Sequence, residues 1–116
     1  MTEIRQGDVY WVDFGSGTGS ARAERHPCVV VQSDLFNGSR IATTVICLIT
    51  SNLGRAKAPG NVALEKGDAN LPRASVVNVS QILTVDKSEL AERLGRLPAS
   101  TVDLIRSGLE LLFDRV

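Results

Sequence analysis

Short apolar runs separated by polar turns make up most of this chain. The runs span residues 8–14, 28–32, 42–50, 61–64 and 75–85. Val, Ile and Thr are common within them, whereas Gly, Pro, Asn, Asp and Ser are common in the segments between them. β-Branched runs bounded by turn formers are typical of strands. The pattern therefore predicts a sheet of short strands, with residues 34–40 as a turn or loop.

The apolar period changes in the last part of the chain. Residues 88–92 are compatible with one helical turn and residues 94–97 with a short strand, and residues 98–115 fit a helix. Val102, Ile105, Leu109 and Leu112 follow one another at intervals of three or four residues, which sets them on one helix face. Ser100 or Thr101 is expected to cap the start of this helix.

Many strands followed by one helix predict an α+β fold that is mainly β. We expect a small, curled antiparallel sheet or partial barrel with the helix packed against it. The 116 residues suit one domain, and neither an internal repeat nor a second domain is evident. Residues 1–116 are therefore interpreted as a single domain.

Charge and composition limit the classes of function. The 13 basic and 13 acidic residues balance, which argues against coating of nucleic acid by bulk electrostatics but allows a local basic groove. Cys28, Cys47 and His26 lack the number and spacing of a zinc site. No run approaches the roughly 18–20 apolar residues that span a bilayer, and the start lacks a signal-peptide core. A cytoplasmic protein with no membrane partner is expected.

Several short motifs, taken in their order and spacing, resemble one known family. They are GDVYWVDF at residues 7–14, GS at 19–20, PCVVVQSD at 27–34, ITSN at 49–52, PGNV at 59–62, SVV at 75–77 and QI at 81–82. Together they resemble the MazF/PemK endoribonuclease toxins of type II toxin–antitoxin systems. The resemblance runs from about Arg5 to the C-terminus, which is nearly the whole chain.

The resemblance implies a fold and an activity. The fold would be an SH3-like barrel of five to seven strands with a C-terminal helix, forming a homodimer with RNA across the subunit interface. The activity would be sequence-specific cleavage of single-stranded RNA without a metal or other cofactor, which inhibits translation and growth. An antitoxin would bind the toxin and occlude the RNA groove with its tail.

The chemistry of such cleavage needs no protein nucleophile. The ribose 2′-OH attacks the phosphorus, which leaves a 2′,3′-cyclic phosphate and a 5′-OH. The protein must move protons and stabilise charge on the phosphate oxygens. Arg offers a permanent charge and a planar fork that fits phosphate, whereas His is better suited to proton transfer near neutral pH.

The principal departure from the family pattern lies in this machinery. The family's catalytic arginine precedes the proline, and that position is His26 here, while Arg25 stands one residue earlier. Adjacent side chains on an extended chain point to opposite faces, so we expect one of the two to face the phosphate. Arg25 is favoured as the phosphate clamp, with His26 as its partner or its replacement. The family's catalytic threonine falls on Thr50.

The remaining candidates are polar or aromatic residues expected to contact RNA. Phe36 is the preferred base-stacking residue, and Tyr10 is also considered. Trp11 is considered for stacking too, although it and Phe113 fit the core better. Glycine-rich loops can supply hydrogen-bond donors to phosphate, so Gly19 and Ser20 are also candidates. The full set of RNA-binding candidates is Gly19, Ser20, Arg22, Phe36, Asn37, Arg40, Ser51, Asn52, Arg55, Lys57 and Gln81.

Two other functions remain open at this point. One is a toxin of the same barrel that poisons DNA gyrase by binding it. The other is a non-catalytic SH3-like module that binds RNA or a peptide. The cleavage sequence, the antitoxin, and the choice among mRNA, tRNA and rRNA are not encoded in any motif recognised here.

Overall fold

The computed structural model of the chain describes residues 3–13 and 25–115. These residues form six strands and two α-helices, with short 3-10 turns at Leu53–Lys57, Asp68–Asn70 and Lys87–Glu89. In chain order they are β1 (Asp8–Asp13), β2 (Arg25–Val30), α1 (Asp34–Asn37), β3 (Thr43–Thr50), β4 (Val62–Leu64), β5 (Ser75–Asp86), β6 (Leu90–Arg96) and α2 (Ala99–Leu112).

The six strands of the described part form one sheet in the order β4-β5-β3-β2-β1-β6. Every neighbouring pair is antiparallel. Strand β1 pairs with β2 on one side and with β6 on the other, so the last strand of the chain lies beside the first. The sheet curls into a half-barrel, and the prediction of a mainly β, α+β fold with a C-terminal helix is confirmed.

The strands bury residues on both faces of the sheet, which explains why their sequences show only loose alternation. Val9 belongs to one apolar cluster and Tyr10 to another, because successive side chains leave opposite faces. The first cluster also contains Ile105 of α2, with Val102 and Leu109 packed against it. Helix α2 therefore covers one face of the sheet through the apolar stripe that its spacing predicted.

Two glycines let α2 lie close to the turn before β4. A β carbon on Gly108 would overlap the carbonyl group of Gly60, so no larger residue fits between the two backbones. Gly60 also has a φ of 80°, in the left-handed region that glycine enters without strain. The close packing of α2 on this turn therefore requires glycine at both Gly60 and Gly108.

A buried carboxylate joins the N-terminal strand to β6. The Asp8 side chain accepts a hydrogen bond from the Arg96 Nε at 2.9 Å and from the Arg5 backbone N–H at 3.0 Å. Arg93 approaches it at 3.4 Å. A buried charge is costly unless it is paired, so these partners hold the start of β1 against the end of β6.

Several local predictions need correction. Residues 34–37 form a short helix rather than a loop, because the Ser33 side chain accepts the Leu35 N–H and starts the turn. Strand β2 begins at Arg25, ahead of Pro27, because pairing with β1 extends it. Strand β6 begins at Leu90, inside the expected helical turn.

The C-terminal helix also differs from its prediction. It is shorter than residues 98–115, and Pro98 occupies the N-cap without a side-chain hydrogen bond, so neither Ser100 nor Thr101 caps it. Phe113 follows the last helical turn and is 67% exposed, so its assignment to the core is wrong. None of the helices in the described ranges is long and apolar enough to cross a membrane.

Candidate active site

The ends of five strands meet at one edge of the sheet. Because neighbouring strands are antiparallel, the ends of β1 and β3 lie beside the starts of β2, β5 and β6. A cleft of about 580 Å³ opens at this edge. Its lining includes five of the predicted site residues, namely Arg25, His26, Thr50, Ser51 and Gln81. Residues that are far apart in sequence therefore share one cavity.

Arg25 is held in place by two neighbouring strands. Its guanidinium carbon lies 4.8 Å from the centre of the Trp11 ring, within the range of a cation–π contact. Its Nη2 also donates to the Glu92 carboxylate at 3.1 Å. Glu92 is the register partner of Trp11 on β6, so β2, β1 and β6 each contribute one member of the cluster. The Arg25 side chain stays about half exposed and can reach a ligand in the cleft.

Thr50 is oriented by the turn that follows it. The Thr50 Oγ1 accepts the backbone N–H of Asn52 at 3.1 Å. This acceptor role leaves the hydroxyl hydrogen of Thr50 to be donated elsewhere. The Asn52 side chain in turn accepts the Gly54 N–H at 3.1 Å and caps the 3-10 turn. Asn52 thus has a structural role beside Thr50, and its own side chain is already engaged.

His26 and Arg25 both line the cleft although they are adjacent on β2. Arg25 pairs with Asp13 and His26 with Val12 across β1. Strand β2 also pairs with β3 through Cys28 and Leu48. The start of β2 therefore lies near the end of β3, and Arg25, His26 and Thr50 border the same cleft.

Gln81 reaches the cleft through an irregularity in β5. Cys47 pairs with Ile82, but the next residue of β3, Leu48, pairs with Asn78. The three residues 79–81 therefore have no pairing partner on β3 and form a bulge in the ladder. The Asn78 Nδ2 donates to the Gln81 side-chain oxygen at 3.1 Å, which orients the Gln81 amide. The bulge explains why a residue in the middle of a strand lies beside the strand ends.

Among the cleft residues that were not predicted as site residues, Trp11 and Arg73 have side chains suited to binding RNA. Trp11 was assigned to the core with stacking as an alternative, and it is half-buried in the cleft wall. Arg73 also lines the cleft, and it stands just before β5. Arg73 follows Pro72 in a polar loop and belongs to no recognised motif, so the sequence did not identify it. The pairing of β5 with β3 brings it to the site.

Asn37 requires a correction. Its side chain is 5% exposed, accepts from Gln32 Nε2 at 2.9 Å and Thr44 Oγ1 at 2.8 Å, and donates to the Gln32 carbonyl at 2.8 Å. The Asn37 amide is buried and already hydrogen-bonded within the protein, which contradicts its expected role as an RNA contact. Asn37 instead joins α1 to β3 through Thr44, and its backbone carbonyl accepts a hydrogen bond from the Lys87 Nζ at 2.9 Å.

Within the described residues, four further predicted RNA contacts lie outside this cleft. Phe36 is 51% exposed on α1, and Arg40 is exposed just beyond that helix. Arg55 and Lys57 are exposed on the 3-10 turn after β3. Gly19, Ser20 and Arg22 fall outside the described residues. The surface candidates remain predictions as RNA contacts.

The two cysteines have no part in this cleft. Both thiols are free and buried. Burial raises the pKa of Cys28 and of Cys47 to about 12, so both stay protonated at neutral pH. Burial, assisted by the charge of Asp8, also raises the pKa of Tyr10. Across residues 3–13 and 25–115, no cluster of three or more His, Cys, Asp or Glu is arranged to hold a metal ion.

Comparison with known proteins identifies the family. Residues 5–113 match the model of the PemK-like, MazF-like toxin of type II toxin-antitoxin systems. The chain is 44% identical over 111 residues to Endoribonuclease MazF6 of Mycobacterium tuberculosis, covering 96% of this chain and 97% of that one. The chain therefore belongs to the PemK-like, MazF-like family of toxins.

Solved structures agree with the fold. A mycobacterial endoribonuclease in complex with its cognate antitoxin has a TM-score of 0.75 at 26% identity, over 97% of this chain and 98% of that one. A MazE–MazF crystal structure from Deinococcus radiodurans has a TM-score of 0.79 over the full length of both chains, at 24% identity. The curled sheet with its C-terminal helix is thus shared with toxins of this family.

Proposed function

We propose that this toxin is an endoribonuclease that cleaves single-stranded RNA at the cleft formed by the strand ends. The observation that carries the proposal is the meeting of Arg25, His26 and Thr50 in one cavity. Family membership and the name of the mycobacterial relative support the activity. We infer that the RNA supplies the nucleophile, its 2′-OH, and that the protein supplies charge and proton transfer.

Each of the three residues suits one part of that reaction. Arg25 carries a permanent charge and would clamp the non-bridging oxygens of the scissile phosphate. The Thr50 hydroxyl would donate to the same oxygens, because its own acceptor site is taken by the Asn52 N–H. His26 would move a proton to the departing 5′-oxygen or from the 2′-OH. The products would be a 2′,3′-cyclic phosphate and a 5′-OH, and no step would require a metal.

The ion pair with Glu92 does not prevent Arg25 from binding phosphate. Both side chains are substantially exposed, and exposed ion pairs contribute only about 0–1 kcal/mol. A phosphate carries its own charge and accepts a forked hydrogen bond from Arg. The stack on Trp11 can persist while the guanidinium turns from Glu92 toward the ligand.

The remaining features of the proposal concern assembly. We infer that the toxin acts as a homodimer in the cytoplasm, with RNA crossing the subunit interface. A cognate antitoxin would neutralise it by covering the RNA groove. The mycobacterial structure of an endoribonuclease with its antitoxin supports the partnership. The RNA contacts that remain proposed in this arrangement are Gly19, Ser20, Arg22, Phe36, Arg40, Ser51, Asn52, Arg55, Lys57 and Gln81.

Cleavage of a labelled single-stranded RNA tests the proposal. The wild type should cut RNA, spare the DNA of the same sequence, and remain active in EDTA. Loss of activity in EDTA with recovery in magnesium would contradict the metal-free mechanism. Inhibition of DNA gyrase with RNA left intact would support instead the gyrase-binding function.

Variants of Arg25 and His26 distinguish which of the two residues binds the scissile phosphate. If Arg25 is the clamp, Arg25→Ala should lose about 10²–10³-fold in rate, as when one oxyanion donor is removed. His26→Ala would then cost less. If His26 has replaced the family arginine, His26→Ala should be the worse variant. Thr50→Val should impair cleavage in both cases and preserve folding. Wild-type rates for both alanine variants would exclude this site.

A further inference from the structure

The cationic groups of the cleft are distributed on both sides of Thr50. Strand β3 lies between β2 and β5 in the sheet, and Thr50 pairs with Val76 near the start of β5. Arg25 begins β2 on one side. Arg73 precedes β5 on the other side and lines the same cleft. Neighbouring strands are about 4.8 Å apart, so the backbones of β2 and β5 are separated by roughly 10 Å.

Arg25 and Arg73 differ in whether a carboxylate balances their charge. Arg25 makes an ion pair with Glu92 at 3.1 Å. For Arg73, no carboxylate lies within ion-pair distance among residues 3–13 and 25–115. None of the described residues that line the cleft is an Asp or a Glu. Within the described ranges, Arg73 is therefore an exposed positive charge at the border of the cleft with no acid paired to it.

The backbone beneath Arg73 is anchored, whereas its side chain is exposed. Leu71 is buried in the core, Pro72 restricts the chain between them, and Ser75 begins β5. The Ser75 Oγ donates to the Arg73 carbonyl at 2.9 Å. An anchored backbone places the guanidinium at a defined edge of the cleft, and it loses little freedom beyond its own rotamers when it binds an anion.

We propose that Arg73 forms a second phosphate subsite, which binds the RNA phosphate next to the scissile one. This inference rests on the proposed function of the cleft. One phosphate needs one clamp, but two arginines on opposite sides of one hydroxyl suit a polyanion that crosses the strand ends. Arg25 and Thr50 hold the scissile phosphate, and Arg73 holds the flanking phosphate on the β5 side. Arg73 contributes to binding and register on the RNA rather than to bond breaking.

The salt dependence of RNA binding tests this subsite. The probe is a labelled single-stranded oligonucleotide with 2′-fluoro groups, which lacks the attacking hydroxyl and stays intact. Each phosphate contact to a single strand contributes about 0.7 to the slope of log affinity against log salt concentration. Arg73→Gln should reduce the slope by about 0.7, and Arg73→Lys should keep most of it. Cleavage of ordinary RNA by Arg73→Gln should show a raised KM with a smaller change in kcat.

Arg106→Gln is the matched control. It removes the same charge from an exposed position on α2, away from the cleft, and should leave the slope unchanged. An unchanged slope for Arg73→Gln, in a protein whose wild type binds and cuts RNA, would overturn the Arg73 subsite alone. A fall in kcat with unchanged KM would also overturn it. A wild type that neither binds nor cuts single-stranded RNA would overturn the proposed function and this subsite together.

Discussion

The two cysteines show how burial controls the chemistry of a side chain. Cys28 and Cys47 lie on adjacent strands, but each belongs to a different one of the two apolar clusters. Their pKa values are raised from 9.0 to about 12 because burial penalises the thiolate. The thiolate is the reactive form of cysteine. Both groups are therefore expected to be chemically inert in the folded protein.

Thiol titration checks this expectation. At about pH 8, where free thiols are partly ionised, Ellman's reagent should label neither cysteine in the native protein and both in denaturant. Rapid labelling of the native protein would contradict the burial of the thiols. The raised pKa values also predict that stability falls as pH rises from about 9 to about 12. In that window the unfolded chain has released thiol protons that the folded chain retains.

At the scale of secondary structure, the contact between α2 and the turn before β4 decides how closely the helix approaches the sheet. Alanine normally stabilises a helix interior by about 1 kcal/mol relative to glycine. At Gly108 that gain should be reversed, because the new β carbon would overlap the Gly60 carbonyl. Forced overpacking costs about 1–3 kcal/mol. We therefore expect Gly108→Ala to lower the free energy of unfolding.

Ser107→Ala is the matched comparison, since Ser107 is exposed on the same helix. It should be neutral or slightly stabilising by propensity alone. Denaturant unfolding of the two variants and the wild type measures both effects. Equal stability of Gly108→Ala and Ser107→Ala would show that the helix shifts to accept the added carbon.

At the scale of the whole molecule, α2 leaves apolar side chains on its outer side. Leu104 and Leu111 are 59% and 52% exposed, stand seven residues apart, and border a shallow groove beside Gly60. Exposed apolar surface of this kind is common at interfaces between proteins. Pairing with a second copy would also extend the cleft of about 580 Å³ into a longer path for RNA. A two-fold interface through α2 or a sheet edge is therefore proposed.

Light scattering during size exclusion tests the dimer. The wild type should elute at twice the mass of one chain at micromolar concentration. A double change of Leu104 and Leu111 to Glu should give a monomer if α2 forms the interface, whereas Leu53→Glu, at another exposed leucine, should not. A dimer that survives the double change would assign the interface to a sheet edge. A fully active monomeric wild type would contradict the requirement for a dimer.

The sequence by itself determined the class of fold and the existence of most elements. Apolar runs bounded by turn formers predict strands without any knowledge of which strands pair. The spacing of apolar residues within 98–115 predicts the buried face of a helix without any knowledge of what covers it. Arg25, His26 and Thr50 were identified through the resemblance of short motifs to the MazF/PemK family, and they do share a cleft.

Tertiary structure alone decided the rest. Arg73 reaches the cleft because β5 pairs with β3, and it carried no motif. Gln81 was a predicted RNA contact, but its place beside the strand ends depends on the bulge at residues 79–81, which no local period encodes. Asn37 resembled a loop residue, but partners on Gln32 and Thr44 bury it. Phe113 is apolar, yet the helix that precedes it ends before the sheet can cover it. Strand pairing, side-chain partners and the end of a helix decided these positions, because residue type and local period do not specify which groups meet in the folded chain.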